Sequence, residues 1–286
     1  MKVIKEHFTS IHQLLKILDS RRNNDVMQSE DSSNTGDYDF TRTRSYKEAT
    51  TLFEKGYTDI LPKIREGMKK MERKLVTEFI HIKKVYPETQ VQGFIPHVPN
   101  SIINLPHSMI NIERIPQKQK TLNIFYEMGA NCWENPQLFI DAGIVLLTAI
   151  KILELNRISV KLTLGFMAGI GDEQYTFPTV DIKNYGQRMD LQKLCFPLAH
   201  PSMFRRIGFK WLETTPDLTD TRFQCGYGRS PADNPSEWKD FVKKLDLKDN
   251  VKILRAQDIR DMNFDVKKLL ASFNINRYAK SKEKES

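Results

Sequence analysis

The chain is poor in cysteine: Cys132, Cys195 and Cys225 are the three in 286 residues. They are isolated and odd in number, which argues against a disulfide framework or a CxxC zinc site and fits a reducing compartment. Long apolar runs are missing too. The longest apolar stretch, within 138–155, is interrupted by Asp141, Lys151 and Glu154, so nothing reads as membrane-spanning and no membrane partner is expected. Residues 1–7 lack a hydrophobic core followed by a small-residue cleavage site, so they do not read as a signal peptide. Catalytic signatures are equally scarce. There is no Gly-x-Ser-x-Gly elbow, no His-Glu-x-x-His and no cysteine in a protease-like context. Residues 165–173 are glycine-rich but lack the Lys-Ser or Lys-Thr helix start of a phosphate loop, and read as a connection between strands. The carboxylate pairs Asp172–Glu173 and Asp217–Asp220 sit in polar segments where solvation accounts for them. Nothing here requires catalysis.

What is present centres on residues 120–166. Leu122-Asn123-Ile124-Phe125-Tyr126 is an apolar run of strand length, ending in the turn-prone Gly129-Ala130-Asn131. Asn135 before Pro136 pairs a helix N-cap with proline at the first helical position, where its missing N–H costs nothing. From Leu138 to Leu155 the residues are apolar on nearly every side, which predicts a helix buried all round. Val160, Leu162, Leu164 and Phe166 then alternate as a strand. This βαβ unit sets the expected fold class: α/β, a mostly parallel central sheet with helices on both faces, behind a helical N-terminal region.

Around it, the pattern predicts an amphipathic helix over 6–19 and a flexible linker over 21–39, rich in Asn, Ser and Asp. Ser45, with Glu48 as a capping box, opens a helix that Gly56 ends, and a charged helix follows over 57–81. Residues 87–116 are loop-rich and carry two Pro-His dipeptides, whose His97 and His107 are candidate ligands for a metal or phosphate without partners at ligand spacing. Strands are expected over 175–185, 207–212 and 251–254, and helices over 190–194, 235–245 and 263–273. The expected division is an arm (1–20), a linker (21–39), a helical and loop-rich subdomain (40–116), an α/β core (117–275) and a charged tail (276–286).

The formal charge of +8 permits an acidic partner, nucleic acid included, although its lysines and arginines are scattered as on a solvated face. The most pointed cluster is His200, Ser202, Arg205 and Arg206. Beside a helix start these residues form a candidate anion- or partner-binding site, which His107 and Ser108 could join. The competing reading is that His200 caps a helix while the arginines pair with acids such as Glu213 or Asp217.

A strand, turn, buried crossover helix and strand also resemble the start of a von Willebrand factor A-type domain. There an Asp-x-Ser-x-Ser turn holds Mg²⁺ through hard oxygens. The matching positions here are Glu127, Gly129 and Asn131. One carboxylate and one amide make a poor site, so Mg²⁺ is at most a weak expectation on Glu127 and Asn131. From residue 38 to residue 254 the chain further resembles an uncharacterised domain family of tailed-phage genomes. The resemblance rests on four stretches: 40–49, 93–109, the βαβ unit with Asp141-Ala142-Gly143, and Ala199-His200-Pro201-Ser202-Met203-Phe204-Arg205-Arg206-Ile207-Gly208-Phe209. It implies a phage or prophage protein with a degenerate A-domain-like core and supplies no catalytic residues. The expected function is a non-enzymatic, intracellular binding or assembly factor with a protein partner. The alternatives are a nucleic-acid binder using Arg205, Arg206 and the basic helix 63–74, and a divalent-metal enzyme of phosphate chemistry.

Overall fold

The computed structural model describes residues 2–23, 32–36, 38–78, 89–92, 95–110, 120–129, 134–170, 174–215, 238–239, 242–243 and 251–273. The chain divides into two compact units, Met1–Met71 with Lys120–Ser286, and Glu72–Gln119.

The larger unit opens with strand β1 (Lys2–Phe8) and helices α1 (Ile11–Ser20), α2 (Tyr38–Thr41), α3 (Tyr46–Lys55) and α4 (Leu61–Glu78), the last running on into the smaller unit. The smaller unit holds a three-stranded sheet in the order β2 (Thr89–Gln90), β4 (Met109–Ile110), β3 (Ile95–Pro96), with α5 (Val98–Ile102) between β3 and β4. The chain then returns through β5 (Lys120–Glu127), α6 (Pro136–Leu155), β6 (Ile158–Gly165), β7 (Ala168–Ile170), β8 (Gln174–Lys183) and α7 (Leu191–Ala199). A π-helical stretch (Met203–Gly208), α8 (Phe209–Thr214), β9 (Val251–Arg255), α9 (Ala256–Asp261) and α10 (Val266–Ser272) complete it.

The main sheet runs β1-β8-β6-β5-β9, with β7 paired to β8 off this path. β1–β8, β6–β5 and β5–β9 pair in parallel, and only β8–β6 is antiparallel along the path. The α/β class with a mostly parallel sheet therefore holds, and the βαβ unit stands as expected. α6 starts where Asn135 Oδ1 accepts the Gln137 N–H at 2.8 Å. It packs on β6, α7, α9 and α10, which is why it is buried on several sides. Its approach to α7 depends on Gly143, where an added Cβ would lie 2.4 Å from the Ala199 Cβ and 2.7 Å from the Leu198 carbonyl oxygen. The other sheet face carries a separate cluster of Phe125, Met167 and Phe177, with Trp238, Val251 and Ile253 packed on it.

A bulge organises the β6–β8 junction. Leu162 faces Lys183 and Thr163 faces Asp181, so Ile182 is the extra residue, and Asp181 and Lys183 point to opposite faces. Asp181 meets Lys161 at 2.9 Å and Thr163 at 2.7 Å, whereas the buried Lys183 meets Glu154 of α6 at 2.5 Å and donates to the Val160 carbonyl at 2.9 Å.

Several expectations need correction. The helix expected over 6–19 starts only at Ile11, and Lys2–Phe8 is an edge strand along β8. The buried Phe8 lies three residues before Ile11 and so continues the apolar spacing of α1, which is why periodicity misassigned it. The strand expected over 207–212 is helical; it is buried nearly throughout, and a short run apolar on all sides carries no usable period. The helix from Asp190 extends to Ala199, past Pro197. The helix expected over 263–273 starts only at Val266, capped by Asp265, and an unexpected helix α9 precedes it, set off by Asn263 and Phe264 in left-handed conformation. Ser45 caps α3 as expected, but Glu48 accepts the Arg44 N–H. The helix expected over 235–245 lies outside the described residues except at 238–239 and 242–243, which are helical. Part of the expected linker is tied down: Ser33 is buried, and its N–H and hydroxyl donate to Glu213 at 2.6 and 2.5 Å.

Candidate functional site

Parallel strands bring their carboxyl ends to one edge of a sheet, the edge where open α/β sheets bind ligands. Here Glu127 closes β5, flanked in register by Gly165 of β6 and Arg255 of β9. Glu127 is buried, and its Oε1 accepts two backbone N–H bonds, from Gly129 at 2.7 Å and from Met167 at 2.9 Å. Its Oε2 is also buried and has no hydrogen-bond partner among the described residues. Burial pushes the carboxyl up to about 8, against the opposing pull of the two N–H groups and the Arg255 cation. At neutral pH it is mostly a neutral acid that ties the turn after β5 to the turn after β6.

Beside it, the Arg255 guanidinium grips Asp258, with Nη2 2.6 Å from Oδ1, and stands 4.8 Å from the centre of the Trp238 ring. Arg255 and Trp238 are both partly exposed. On β5 the buried Tyr126 hydroxyl has no partner among the described residues, and burial with the nearby Asp258 and Glu127 charges holds its pKa above the usual phenol range. The edge thus offers a neutral acid and an arginine–tryptophan plate.

The weak Mg²⁺ expectation fits these residues badly. Glu127 Oε1 already accepts two backbone N–H groups, and Gly129 spends its N–H on that same oxygen. Asn131 lies outside the described residues. Among the described residues no group of three or more His, Cys, Asp or Glu is placed to hold a metal ion.

The structure does bring together His200, Ser202, Arg205 and Arg206, as a buried junction. Burial, helped by the Arg42 cation, pushes His200 down to about 4, so the ring is neutral at pH 7. It stacks on Phe196, meets Tyr57 edge-on, and accepts the Ser202 N–H at Nδ1. The Ser202 hydroxyl donates to the Thr41 carbonyl. Arg205 lies among Phe40, Phe209 and Phe204, with its guanidinium 4.8, 5.1 and 5.6 Å from their ring centres. Arg206 donates to the carbonyls of Ser32, Ser33, Thr35 and Thr43 and to the Thr41 hydroxyl. As placed, the cluster fastens residues 32–36 and 40–43 onto the π-helical stretch, and its guanidinium groups point into the protein. Of the two expected acid partners, Glu213 accepts from Ser33, and Asp217 lies outside the described residues.

His107 and Ser108 belong to the smaller unit, where the Ser108 carbonyl accepts the His97 N–H at 2.7 Å and the His107 carbonyl accepts from Asn100 Nδ2 at 2.8 Å. His97 caps α5 by accepting the Asn100 N–H at Nδ1.

Sequence reasoning passed over Arg255 and Trp238. The available signal was an arginine at the carboxyl end of an expected parallel strand; nothing marked Trp238 as its neighbour. It also passed over His7, whose Nδ1 lies 2.9 Å from the Thr179 hydroxyl and whose Nε2 lies 3.7 Å from Asp181, because residue 7 was read as helical.

Fold and site together define a mixed α/β protein with a largely buried, partly neutral strand-end site. No curated protein matches the chain, and neither does any solved structure. A family model described as "Domain of unknown function (DUF7192)" matches residues 1–277, and the chain belongs to that family.

Proposed function

We propose that this protein is a non-enzymatic binding or assembly factor that recognises a protein partner through the carboxyl-end edge of its main sheet. The observation that carries the reading is the partly exposed Arg255–Trp238 plate beside Glu127. Arginine and tryptophan dominate the energetics of protein interfaces, because each offers a large rigid contact with a polar tip. The order β5–α6–β6 supports the von Willebrand A-like part of the reading, with the degenerate Glu127–Asn131 turn in place of a metal site. A phage or prophage origin and action in the cytoplasm of a bacterial host belong to the same proposal. Among the described residues no helix is long and apolar enough to cross a membrane.

The test is affinity recovery of the tagged protein from infected or induced cells, with and without nuclease, for the wild type and Trp238→Ala. A defined protein partner that survives nuclease and is lost in the variant supports the proposal. Recovery lost on nuclease treatment overturns it in favour of nucleic acid, for which Lys63, Arg65 and Lys69 of α4 offer exposed cations. Equal recovery by the variant also overturns it.

A further inference from the structure

The smaller unit presents a surface that the strand-end reading does not use. Eight large apolar side chains are exposed among the described residues, and five of them, Val91, Val98, Ile102, Ile103 and Leu105, fall in the unit Glu72–Gln119. Ile102 is 77% exposed and Ile103 64%. Soluble proteins scatter such residues singly; concentrated in one small unit they mark a contact surface.

The backbone beneath them is closed on itself. The His97 N–H donates to the Ser108 carbonyl at 2.7 Å, Leu105 N–H to the Asn100 carbonyl at 2.9 Å, and Asn100 Nδ2 to the His107 carbonyl at 2.8 Å. Asn104 takes the left-handed conformation that turns the chain back after α5. The result is a compact loop over 97–108 whose polar backbone is partly satisfied from within while its apolar side chains face outward. A medium that cannot hydrogen-bond demands such internal pairing.

Charge separates the kinds of partner. Residues 89–110 contain no Asp, Glu, Lys or Arg, in a chain of which 28% is charged. A protein partner tolerates charges around an apolar patch, whereas hydrocarbon penalises every charge brought into it. The ten residues on either side carry Lys83, Lys84, Arg114, Lys118 and Lys120 against Glu88 and Glu113. An uncharged apolar stretch whose sequence flanks carry net positive charge complements an anionic lipid surface.

We propose that the loop over 97–108 docks on an anionic membrane surface by inserting Ile102, Ile103 and Leu105 among the headgroups, without crossing the bilayer. This goes beyond the strand-end proposal and departs from the expectation of no membrane contact.

The experiment is flotation of the full chain with mixed phosphatidylcholine–phosphatidylglycerol vesicles and with pure phosphatidylcholine vesicles. The wild type is expected to float with the anionic vesicles, and much less at 0.5 M salt, where the Debye length falls to ~4 Å. Ile102→Asp with Ile103→Asp lowers the floating fraction by about tenfold or more, while circular dichroism and thermal unfolding stay unchanged because both side chains are exposed. Trp238→Ala floats like the wild type, which separates this surface from the strand-end one. Equal flotation on neutral vesicles, no flotation at all, or full flotation of the double variant overturns the proposal. Wild-type self-association in sedimentation that the double variant loses, without vesicle binding, overturns it in favour of a second copy.

Discussion

Replacing Glu127 by glutamine isolates the proton that the strand-end site holds. Burial raises the folded-state carboxyl from 4.5 to about 8, so between these values the folded protein binds a proton that the unfolded chain has released. Stability from this group is complete below the unfolded value and is lost as pH rises through the folded one, at about 1.4 kcal/mol per pH unit. The whole term is about 5 kcal/mol. His200 works in the opposite sense. Its folded value lies at about 4 against 6.5 unfolded, so its stability term is complete above 6.5 and is lost as pH falls toward 4. Between pH 5 and 6.5 the two slopes nearly cancel, and these groups alone give the wild type an almost flat profile.

Glutamine keeps an Oε1 to accept the Gly129 and Met167 N–H groups but carries no titrating proton. The variant is therefore expected to gain about 2 kcal/mol in urea unfolding between pH 5 and 6.5, as the His200 term appears unopposed. Above pH 6.5 the wild type should decline toward pH 8, whereas Glu127→Gln should level off. Parallel profiles for the two proteins, within about 0.5 kcal/mol across pH 5–8, would refute the assignment of a neutral Glu127.

Three further outcomes test the packing. Gly143→Ala places a methyl against the backbone of α7 and should destabilise by about 2–3 kcal/mol in denaturant unfolding, far more than an exposed glycine-to-alanine change. Arg206→Met strands the carbonyls of Ser32, Ser33, Thr35 and Thr43, and should cost about 3–5 kcal/mol. It should also open the chain near residue 33 to limited proteolysis. Lys183→Met leaves Glu154 facing an apolar side chain and should cost about 3 kcal/mol, while the double variant with Glu154→Leu should recover most of that loss, as measured by a double-mutant cycle.

Local chemistry made the βαβ unit legible in the sequence alone. An Asn-Pro start, a helix apolar on nearly all sides and a strand of alternating Val and Leu are strong short-range signals, and each element stands where they indicate. Ser45, Asp190 and Asn135 were readable as caps for the same reason, because a cap is decided within three residues. The edge strand β1 was not readable. Its pairing partner β8 lies more than 170 residues away, and its apolar spacing also suits a helix. Long-range neighbours likewise decided the roles of single residues. The sequence marked His200, Arg205 and Arg206 as chemically rich, and only the fold showed residues 32–36 and 40–43 and three phenylalanine rings enclosing the arginines. It marked Glu127 as a possible ligand by position along the chain, and only the fold buried it and gave one of its oxygens to two turns. Composition and short-range pattern settle elements and class, whereas burial depends on which distant segments meet, and burial sets the charge state of Glu127 and His200.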